Sequence, residues 1–229
     1  MNKTIDITKQ MKTWGGFFGK SYTYRNMSTL EELDKSYKKN YNVTRTELNK
    51  IFLGEIKKDI KILEVGSNIG NQLALLQKMG FKNLYGIEIN SNAIEISRKR
   101  TTDINIIHGS AFNIPFKDDY FDLVFTSGVL IHIAPTDIKL VMEEIYRCAK
   151  RYIWGFEYYS DAHTPITYRG HANLLWKADF SKIYLSLSDD LRLVKEKHLK
   201  YADSNNVDTM FLVEKMRRRS KKSEDRSKC

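Results

Sequence analysis

Short apolar runs alternate with amphipathic stretches along most of this chain. The first run is Ile62 to Val65, and similar runs follow at 84–89, 104–107, 121–126 and 152–157. The stretch from Asp137 to Ala149 has apolar residues at helical intervals, which predicts a helix. Strands that alternate with helices in this way predict an α/β fold with a mostly parallel sheet and helices on both faces.

The two ends of this pattern complete the predicted architecture. Leu191 to Tyr201 and Val207 to Met216 alternate like paired strands, which would be the sixth and seventh of the sheet, and Thr29 to Ile56 has a helical pattern. With 229 residues, 41% of them hydrophobic, the chain can bury one substantial core. We expect three parts: a lid and helical segment at 1–56, a cofactor-binding domain at 57–216, and a basic disordered tail at 217–229.

A glycine turn follows the first predicted strand and leads into a helix. It runs Glu64-Val65-Gly66-Ser67-Asn68-Ile69-Gly70. Glu88 ends the next strand, about 20 residues beyond the turn, where a ribose-binding carboxylate is expected. Asn68 stands where a dinucleotide fingerprint needs its second glycine, and no lysine and hydroxyl follow Gly70 as a triphosphate loop requires. The turn therefore favours an adenosine cofactor other than a dinucleotide or a triphosphate.

These residues resemble the class I S-adenosylmethionine-dependent methyltransferases. Glu64-x-Gly66-x-Asn68-x-Gly70 is a variant of that family's acidic-x-G-x-G-x-G turn, and His108 to Phe116 is similar to its adenine-binding loop, with Ser110 in place of the usual aspartate. Tyr120 to Ile133 is similar to its fourth strand and the loop beyond. The resemblance covers roughly residues 51–157 and implies a Rossmann-like fold with a seven-stranded sheet and S-adenosyl-L-methionine as the cofactor.

The resemblance also implies roles for single residues. Glu88 would bind the ribose hydroxyls, while Glu64 would orient the turn or the cofactor's ammonium group, or only bind loop amides. Ile89 and Phe112 would flank the adenine, with core packing as the alternative for Ile89. The predicted cofactor-binding residues are Glu64, Gly66, Ser67, Asn68, Gly70, Glu88, Ile89, Ser110, Ala111, Phe112, Thr126 and Ser127.

The methyl acceptor must be bound outside the cofactor half. Residues 14–26 combine aromatic side chains with glycines and amides, which is typical of a lid, although the segment could instead pack on the sheet. Their pattern W-x-x-x-F-G-x-x-Y-x-x-R-N is similar to methyltransferases encoded beside pseudaminic acid biosynthesis, which implies a sugar or nucleotide-sugar of surface glycans as the substrate. The predicted substrate-binding residues are Trp14, Tyr22, Arg25, Asn26, Tyr158, Tyr168 and Arg169.

Candidates for acid–base chemistry follow the fourth and fifth strands. A sulfonium is an activated methyl donor, so the protein mainly positions the nucleophile, but a hydroxyl nucleophile must lose its proton. His132 is the first candidate for the base, with a structural hydrogen bond as its alternative role; His163, His171 and Glu157 are the reserves. Residues 157–171 are expected to be a largely irregular loop. An amine would need no strong base, so oxygen and nitrogen both remain open.

The net charge of +10 allows other functions. Seven basic residues against Glu224 and Asp225 give the segment 217–229 a net charge of +5, which suits a solvated tail, an anionic substrate or RNA. An RNA methyltransferase is therefore the alternative to a small-molecule enzyme, and a non-catalytic cofactor-binding module is the third hypothesis.

The sequence also bears on compartment and metals. No apolar stretch approaches 20 residues and no secretory signal is recognisable, so we expect a cytoplasmic protein without a membrane span. Cys148 and Cys229 form neither a disulfide framework nor a metal-binding cluster, and no metal is predicted.

Overall fold

The computed structural model describes residues 7–216. Eight α-helices and nine strands lie in this range. The helices are α1 (Lys9–Gly15), α2 (Phe17–Arg25), α3 (Leu30–Tyr41), α4 (Arg45–Leu53), α5 (Asn71–Lys78), α6 (Ser91–Arg100), α7 (Ile138–Cys148) and α8 (Phe180–Leu185). The strands are β1 (Lys61–Val65), β2 (Asn83–Glu88), β3 (Ile104–His108), β4 (Phe121–Ser127), β5 (Ala149–Tyr158), β6 (Thr164–Tyr168), β7 (His171–Lys177), β8 (Leu191–Lys200) and β9 (Val207–Lys215).

Seven of these strands form the main sheet, in the order β3-β2-β1-β4-β5-β9-β8. The first five pair in parallel, and β9 runs antiparallel to both of its neighbours. This confirms the predicted mostly parallel, seven-stranded sheet. The reversal of β9 has a consequence for function, because Asp208 near its start pairs with Tyr158 at the end of β5. The start of β9 therefore lies at the edge where the parallel strands end.

Both faces of the central part of the sheet are buried, whereas the edge strands β3 and β8 are largely exposed. Ile62 belongs to a core cluster with Leu73 of α5 and Leu48 of α4, whereas the next residue, Leu63, belongs to the opposite cluster with Val141 of α7. Successive side chains of a strand point to opposite faces, so a run of apolar residues is needed where helices cover both. This double coverage explains why the strands show continuous apolar runs rather than alternation.

The helical prediction for residues 29–56 is confirmed and has a local cause. Thr29 and Thr44 cap α3 and α4, and each forms a reciprocal capping box with the glutamate three residues later, Glu32 and Glu47. Residues 14–26 are also helical, in spite of their glycines: Thr8 caps α1 through Met11, and α2 begins directly after Gly16. These helices lie at the edge of the sheet where the parallel strands end.

The expectation of an irregular loop at 157–171 is wrong. Residues 157 and 158 continue β5, and 164–168 form β6, which pairs antiparallel with β7. Thr164, Ile166 and Tyr168 alternate with more exposed residues, and Pro165 is tolerated because this sheet has only two strands, both of them edges. Arg169 and Gly170 make the turn in left-handed conformations. The hairpin places Trp176 and the nearby Phe180 in the core.

Two further properties concern residues 7–216 alone. None of their helices is both long and apolar enough to cross a bilayer. Their His, Cys, Asp and Glu side chains do not gather in groups of three that could hold a metal ion. The basic tail predicted at 217–229 lies outside the described residues.

Candidate active site

The glycine turn between β1 and α5 has left-handed backbone at three alternate positions. The φ angles are 74° at Gly66, 47° at Asn68 and 83° at Gly70. Asparagine is among the few residues besides glycine that adopt this conformation readily. Asn68 therefore keeps the backbone path that a glycine would give, and its departure from the family pattern leaves the shape of the turn intact. At Gly66 a Cβ atom would also lie 2.6 Å from Cγ2 of Val129, which leaves no room for a side chain.

Glu88 at the end of β2 connects this turn to the next one. Its Oε2 accepts a hydrogen bond from the amide of Asn68 and its Oε1 accepts one from the amide of Asn90, both at 2.8 Å. Burial raises the pKa of Glu88, and these amides partly oppose the effect. A carboxylate oxygen can accept more than one hydrogen bond, so Glu88 retains capacity for hydroxyl groups of a ligand. It lines the cavity described next.

One cavity of about 590 Å³ extends from the glycine turn, beneath α1 and α2, to the ends of β5 and β8 and the start of β9. It is large enough for a nucleoside-sized cofactor and a small second ligand. Seventeen residues predicted to bind cofactor, bind substrate or act in catalysis line it: Trp14, Tyr22, Arg25, Asn26, Glu64, Gly66, Ser67, Asn68, Glu88, Ile89, Ser110, Ala111, Phe112, Ser127, His132, Tyr158 and Tyr168.

Three buried oxygen atoms at this cavity have no hydrogen-bond partner among residues 7–216. They are Oε2 of Glu64, Oδ1 of Asn68 and Oε1 of Gln72. Burial raises the pKa of Glu64 well above its ordinary value, and the charge of Arg45 partly opposes this. Unpaired buried oxygens are costly unless a ligand brings hydrogen-bond donors. An ammonium group and ribose hydroxyls are such donors, so these residues fit S-adenosylmethionine.

His132 lies in a short 3₁₀ turn after β4, with its ring against the lid. Its Nδ1 is 2.8 Å from the carbonyl oxygen of Leu174, which can only accept, so Nδ1 carries the proton and Nε2 is the free acceptor. The ring centroid is 4.2 Å from that of Trp14 and 5.7 Å from that of Tyr168. Burial lowers the pKa of His132 to about 4. The imidazole is therefore neutral at pH 7 and is a weak base.

The reserve candidates for the base lie elsewhere. The carboxylate of Glu157 accepts hydrogen bonds from the amides of Val129 (3.2 Å) and Ile131 (3.4 Å), and it is not among the cavity-lining residues. These hydrogen bonds support the loop after β4. Burial raises the pKa of Glu157 to about 7. His163 and His171 are exposed on or beside the β6–β7 hairpin. The remaining predicted site residues outside the lining are Gly70, Thr126 and Arg169.

Asn90, which the sequence analysis missed, joins the lid to the cofactor half. Its Oδ1 caps α6 by accepting from the amides of Asn92 and Ala93, while its Nδ2 donates to the carbonyl oxygens of Trp14 (3.0 Å) and Gly16 (3.1 Å). An asparagine directly before a helical pattern signals an N-cap. The hydrogen bonds donated by its side-chain nitrogen could not be predicted, because their acceptors lie more than 70 positions away. The lid thus lies over the loops that end β2.

A second group of residues was also missed, at the far end of the cavity. Asp208 is 1% exposed, and its Oδ2 accepts hydrogen bonds from the hydroxyls of Tyr41 (2.5 Å) and Tyr201 (3.1 Å). The sequence signal for Asp208 is weak: it is an acidic residue directly before the apolar run 210–213 of β9. Its position at the site follows from the antiparallel direction of β9, which sequence spacing does not reveal.

Comparison with protein families gives one match to this site. Residues 63–152 match a model described as "Methyltransferase domain". The match begins within β1 and ends within β5, so it includes the glycine turn, Glu88, the predicted adenine loop and the loop after β4. The region of predicted resemblance, roughly 51–157, agrees with it.

Relatives and solved structures agree with this match. Demethylmenaquinone methyltransferase of Staphylococcus aureus (strain MRSA252) is 27% identical over 132 residues, which are 53% of this chain and 54% of the relative. The chain thus spans about half the length of the curated relatives it matches. The structure of the PH0226 protein from Pyrococcus horikoshii OT3 has a TM-score of 0.64 at 18% identity, covering 87% of this chain and 100% of that one.

A further structure contains ligands. It is Burkholderia thailandensis 1,6-didemethyltoxoflavin-N1-methyltransferase with bound 1,6-didemethyltoxoflavin and S-adenosylhomocysteine, with a TM-score of 0.64 at 9% identity over 91% of this chain and 87% of that one. A SAM-dependent methyltransferase from Methanosarcina mazei has a TM-score of 0.59 at 17% identity, covering 71% of this chain and 95% of that one. These likenesses show a Rossmann-like methyltransferase fold.

Proposed function

Because residues 63–152 match a methyltransferase-domain model, we propose that this chain is a class I methyltransferase that transfers a methyl group from S-adenosylmethionine to a hydroxyl or amine of a small molecule. The observation that carries the proposal is the continuous cavity beneath α1 and α2. Cofactor-binding features lie at one end of it, and a separate polar and aromatic group lies at the other. One continuous cavity can therefore hold both the donor and the acceptor of the methyl group.

The cofactor half has a chemical basis in the residues that line it. Glu88 would accept the ribose hydroxyls, and the unpaired oxygens of Glu64, Asn68 and Gln72 would accept hydrogen bonds from the ammonium group. Ser110, Ala111, Phe112 and Ile89 line the same part of the cavity and would contact the adenine. Bound there, S-adenosylmethionine supplies an activated methyl group on a sulfonium.

The protein's own contribution is then positioning and exclusion of water. Trp14 and Tyr22 of the lid cover the cavity, with ring centroids 5.2 Å apart. His132 is neutral at pH 7 and has Nε2 as a hydrogen-bond acceptor, so it would orient a hydroxyl or amine of the substrate and accept a proton only weakly. A weak base at this position is compatible with an amine as the methyl acceptor, or with a hydroxyl that loses its proton late in the reaction.

The narrower proposal is that the acceptor is a sugar or nucleotide-sugar of surface-glycan biosynthesis. It is supported by the residue pattern at 14–26, since Trp14, Tyr22, Arg25 and Asn26 all line the cavity. Relatives named for demethylmenaquinone and 1,6-didemethyltoxoflavin act on other small molecules, which makes a small acceptor the shared feature. RNA remains the alternative, motivated by the net charge of +10. The lid over the cavity favours the small molecule.

A labelled-methyl assay tests the proposal. Purified protein with methyl-labelled S-adenosylmethionine should label at least one member of a panel of sugars and nucleotide-sugars, and Glu88→Gln should reduce turnover by about tenfold or more, since it removes a charged hydrogen-bond acceptor. Glu95→Gln is the matched control, because Glu95 is an exposed carboxylate on the neighbouring helix α6. Labelling of RNA alone, with a steep salt dependence, would support the alternative instead.

A further inference from the structure

The far end of the cavity is formed by a group that we call the aspartate cluster: Asp208, Tyr37, Tyr41, Phe156 and Tyr201. All five line the cavity. They come from different elements, with Tyr37 and Tyr41 on α3, Phe156 on β5, Tyr201 directly after β8 and Asp208 on β9. Their meeting point lies at the edge of the sheet where the parallel strands end, which is where open α/β sheets bind ligands.

The carboxylate of Asp208 is buried and lacks a cation. Both tyrosine hydroxyls bind Oδ2, and no hydrogen bond within residues 7–216 reaches Oδ1. Among the same residues, none of the ion pairs includes Asp208. Burial raises its pKa to about 6, so the group is mostly ionised at pH 7. A buried carboxylate without a cationic partner lowers the stability of the folded protein, because the charge has lost its hydration. A ligand with a positive charge would offset that loss.

Two cations of the protein act on Asp208 through their charge, and the hydrogen bonds that they donate go to other groups. Arg45 donates from Nε to Asn49 and from Nη1 to the hydroxyls of Tyr37 and Ser127, and its guanidinium lies 4.7 Å from the ring centroid of Phe156. Lys177 donates to the side chain of Asn206. Both lower the pKa of Asp208 through their charge, but neither contacts its carboxylate. Oδ1 thus remains available for a hydrogen bond from a ligand.

Four aromatic rings pack together beside the same carboxylate. The ring centroids of Tyr41 and Tyr201 are 4.8 Å apart and nearly perpendicular, and those of Tyr37 and Tyr41 are 5.4 Å apart. Phe156 packs against both Tyr37 and Tyr41, at 5.4 and 6.1 Å. The faces of such rings attract organic cations, and a carboxylate beside them adds a charge-assisted hydrogen bond. The same arrangement disfavours a phosphate or carboxylate at this end.

We infer, on the basis of the proposed function, that the aspartate cluster is the binding site for the methyl acceptor. The substrate that fits this cluster carries a protonated amine. The ammonium group donates to Oδ1 of Asp208 and lies among the rings of Tyr41 and Tyr201. Arg45 connects the cluster to the cofactor half, because it binds both Tyr37 of the cluster and Ser127 at the end of β4. Phosphate groups of a nucleotide-sugar would have to lie elsewhere in the cavity.

The test compares matched pairs of small probes. Benzylammonium against benzyl alcohol, and glucosamine against glucose, are titrated into the full chain by calorimetry or ligand-observed NMR, with S-adenosylhomocysteine present to occupy the cofactor half. The amine of at least one pair should bind about tenfold more tightly than its alcohol or neutral partner, and Asp208→Asn should abolish most of this preference.

The matched control is Asp190→Asn. Asp190 also accepts hydrogen bonds from a tyrosine hydroxyl, that of Tyr146, but it precedes β8 at the opposite edge of the sheet and does not line the cavity. This variant should keep the preference for amines. Tyr201→Leu serves if Asp208→Asn fails to fold: it should weaken the amine about threefold or more and leave the alcohol unchanged.

Two results would overturn the inference: equal binding of amines and their neutral partners to the unaltered protein, or the same loss in Asp208→Asn and Asp190→Asn. Binding of S-adenosylhomocysteine is measured first and separately. If S-adenosylhomocysteine does not bind, the proposed function is wrong. The amine probes and their neutral partners are then compared in its absence. If S-adenosylhomocysteine binds and the amine preference is absent, only the assignment of the aspartate cluster is wrong.

Discussion

Three left-handed residues in the glycine turn connect the backbone of this protein to its cofactor chemistry. Gly66, Asn68 and Gly70 turn the chain so that the amide of Asn68 donates to Glu88, which fixes the carboxylate predicted to bind ribose. The turn also places Gly66 against Val129 of the loop after β4. Small changes in this backbone should therefore affect both ligand-binding loops together.

Gly66→Ala tests this coupling, with Gly128→Ala as its control. Both glycines have positive φ, 74° and 68°, so each substitution should cost roughly 1–2 kcal/mol of stability from backbone strain. A Cβ at Gly128 would meet nothing within 4 Å, whereas at Gly66 it would meet Val129 at 2.6 Å, which should add about 1–3 kcal/mol. Urea unfolding measures the difference. If the two variants lose equal stability, or if Val129→Ala rescues nothing in Gly66→Ala, the contact is unimportant.

Glu157 gives a pH-dependent prediction with a defined sign. Burial raises its pKa from 4.5 to about 7 in the folded protein. The folded state holds this proton to a higher pH than the unfolded chain does, so the stability contributed by Glu157 is complete below about pH 4.5 and is lost as the pH rises through about 7. The free energy of unfolding relative to Glu157→Gln should fall by roughly 2–3 kcal/mol between about pH 5 and 8.

Glu214→Gln provides the control for that experiment. Arg192 and Arg151 lower the pKa of Glu214 by hydrogen bonds that outweigh the opposing effect of burial, so it stays ionised throughout that range. Its effect on stability should therefore be nearly the same at both pH values, as followed by urea unfolding. A constant difference between the wild-type protein and Glu157→Gln would show that Glu157 is ionised without penalty.

At the scale of elements, one side chain with two functions connects the lid helices α1 and α2 to the loop after β2. Asn90 caps α6 with its oxygen and binds the lid backbone with its nitrogen. Asn90→Asp keeps the capping oxygen and removes the donor, so it should free the lid and leave α6 stable. Asn90→Ala removes both and should also cost about 1 kcal/mol of stability.

Hydrogen exchange followed by mass spectrometry separates these effects. In Asn90→Asp, amides of residues 9–25 should exchange faster, while those of α6 stay protected; in Asn90→Ala both regions should exchange faster. Unchanged exchange in residues 9–25 of both variants would mean that aromatic packing, such as that of Trp14 on His132, holds the lid without Asn90.

The sequence predicted elements well where their cause was local. Apolar runs indicated the five parallel strands because both faces of the sheet are covered, and the capping boxes at Thr29 and Thr44 mark helices that the pattern had indicated. The β6–β7 hairpin was missed because β6 is short and partly polar, and because the two strands form a sheet separate from the main one. Asn90 and Asp208 were missed because their partners are distant in sequence.

At the scale of the whole molecule, the sheet order brings the cofactor turn and the aspartate cluster to one cavity. β1 and β2 carry the first group, and the antiparallel insertion of β9 between β5 and β8 brings in the second. The loops proposed to bind the cofactor could therefore be located from motifs, whereas locating the far end of the cavity required the three-dimensional path of the chain.

Calorimetric titration with S-adenosylmethionine and, separately, with NAD tests the central claim most directly. Our account predicts saturable binding of S-adenosylmethionine at one site, no comparable binding of NAD, and weaker binding in Glu88→Gln than in Glu95→Gln. Failure to bind either S-adenosylmethionine or S-adenosylhomocysteine, or a preference for NAD, would contradict it.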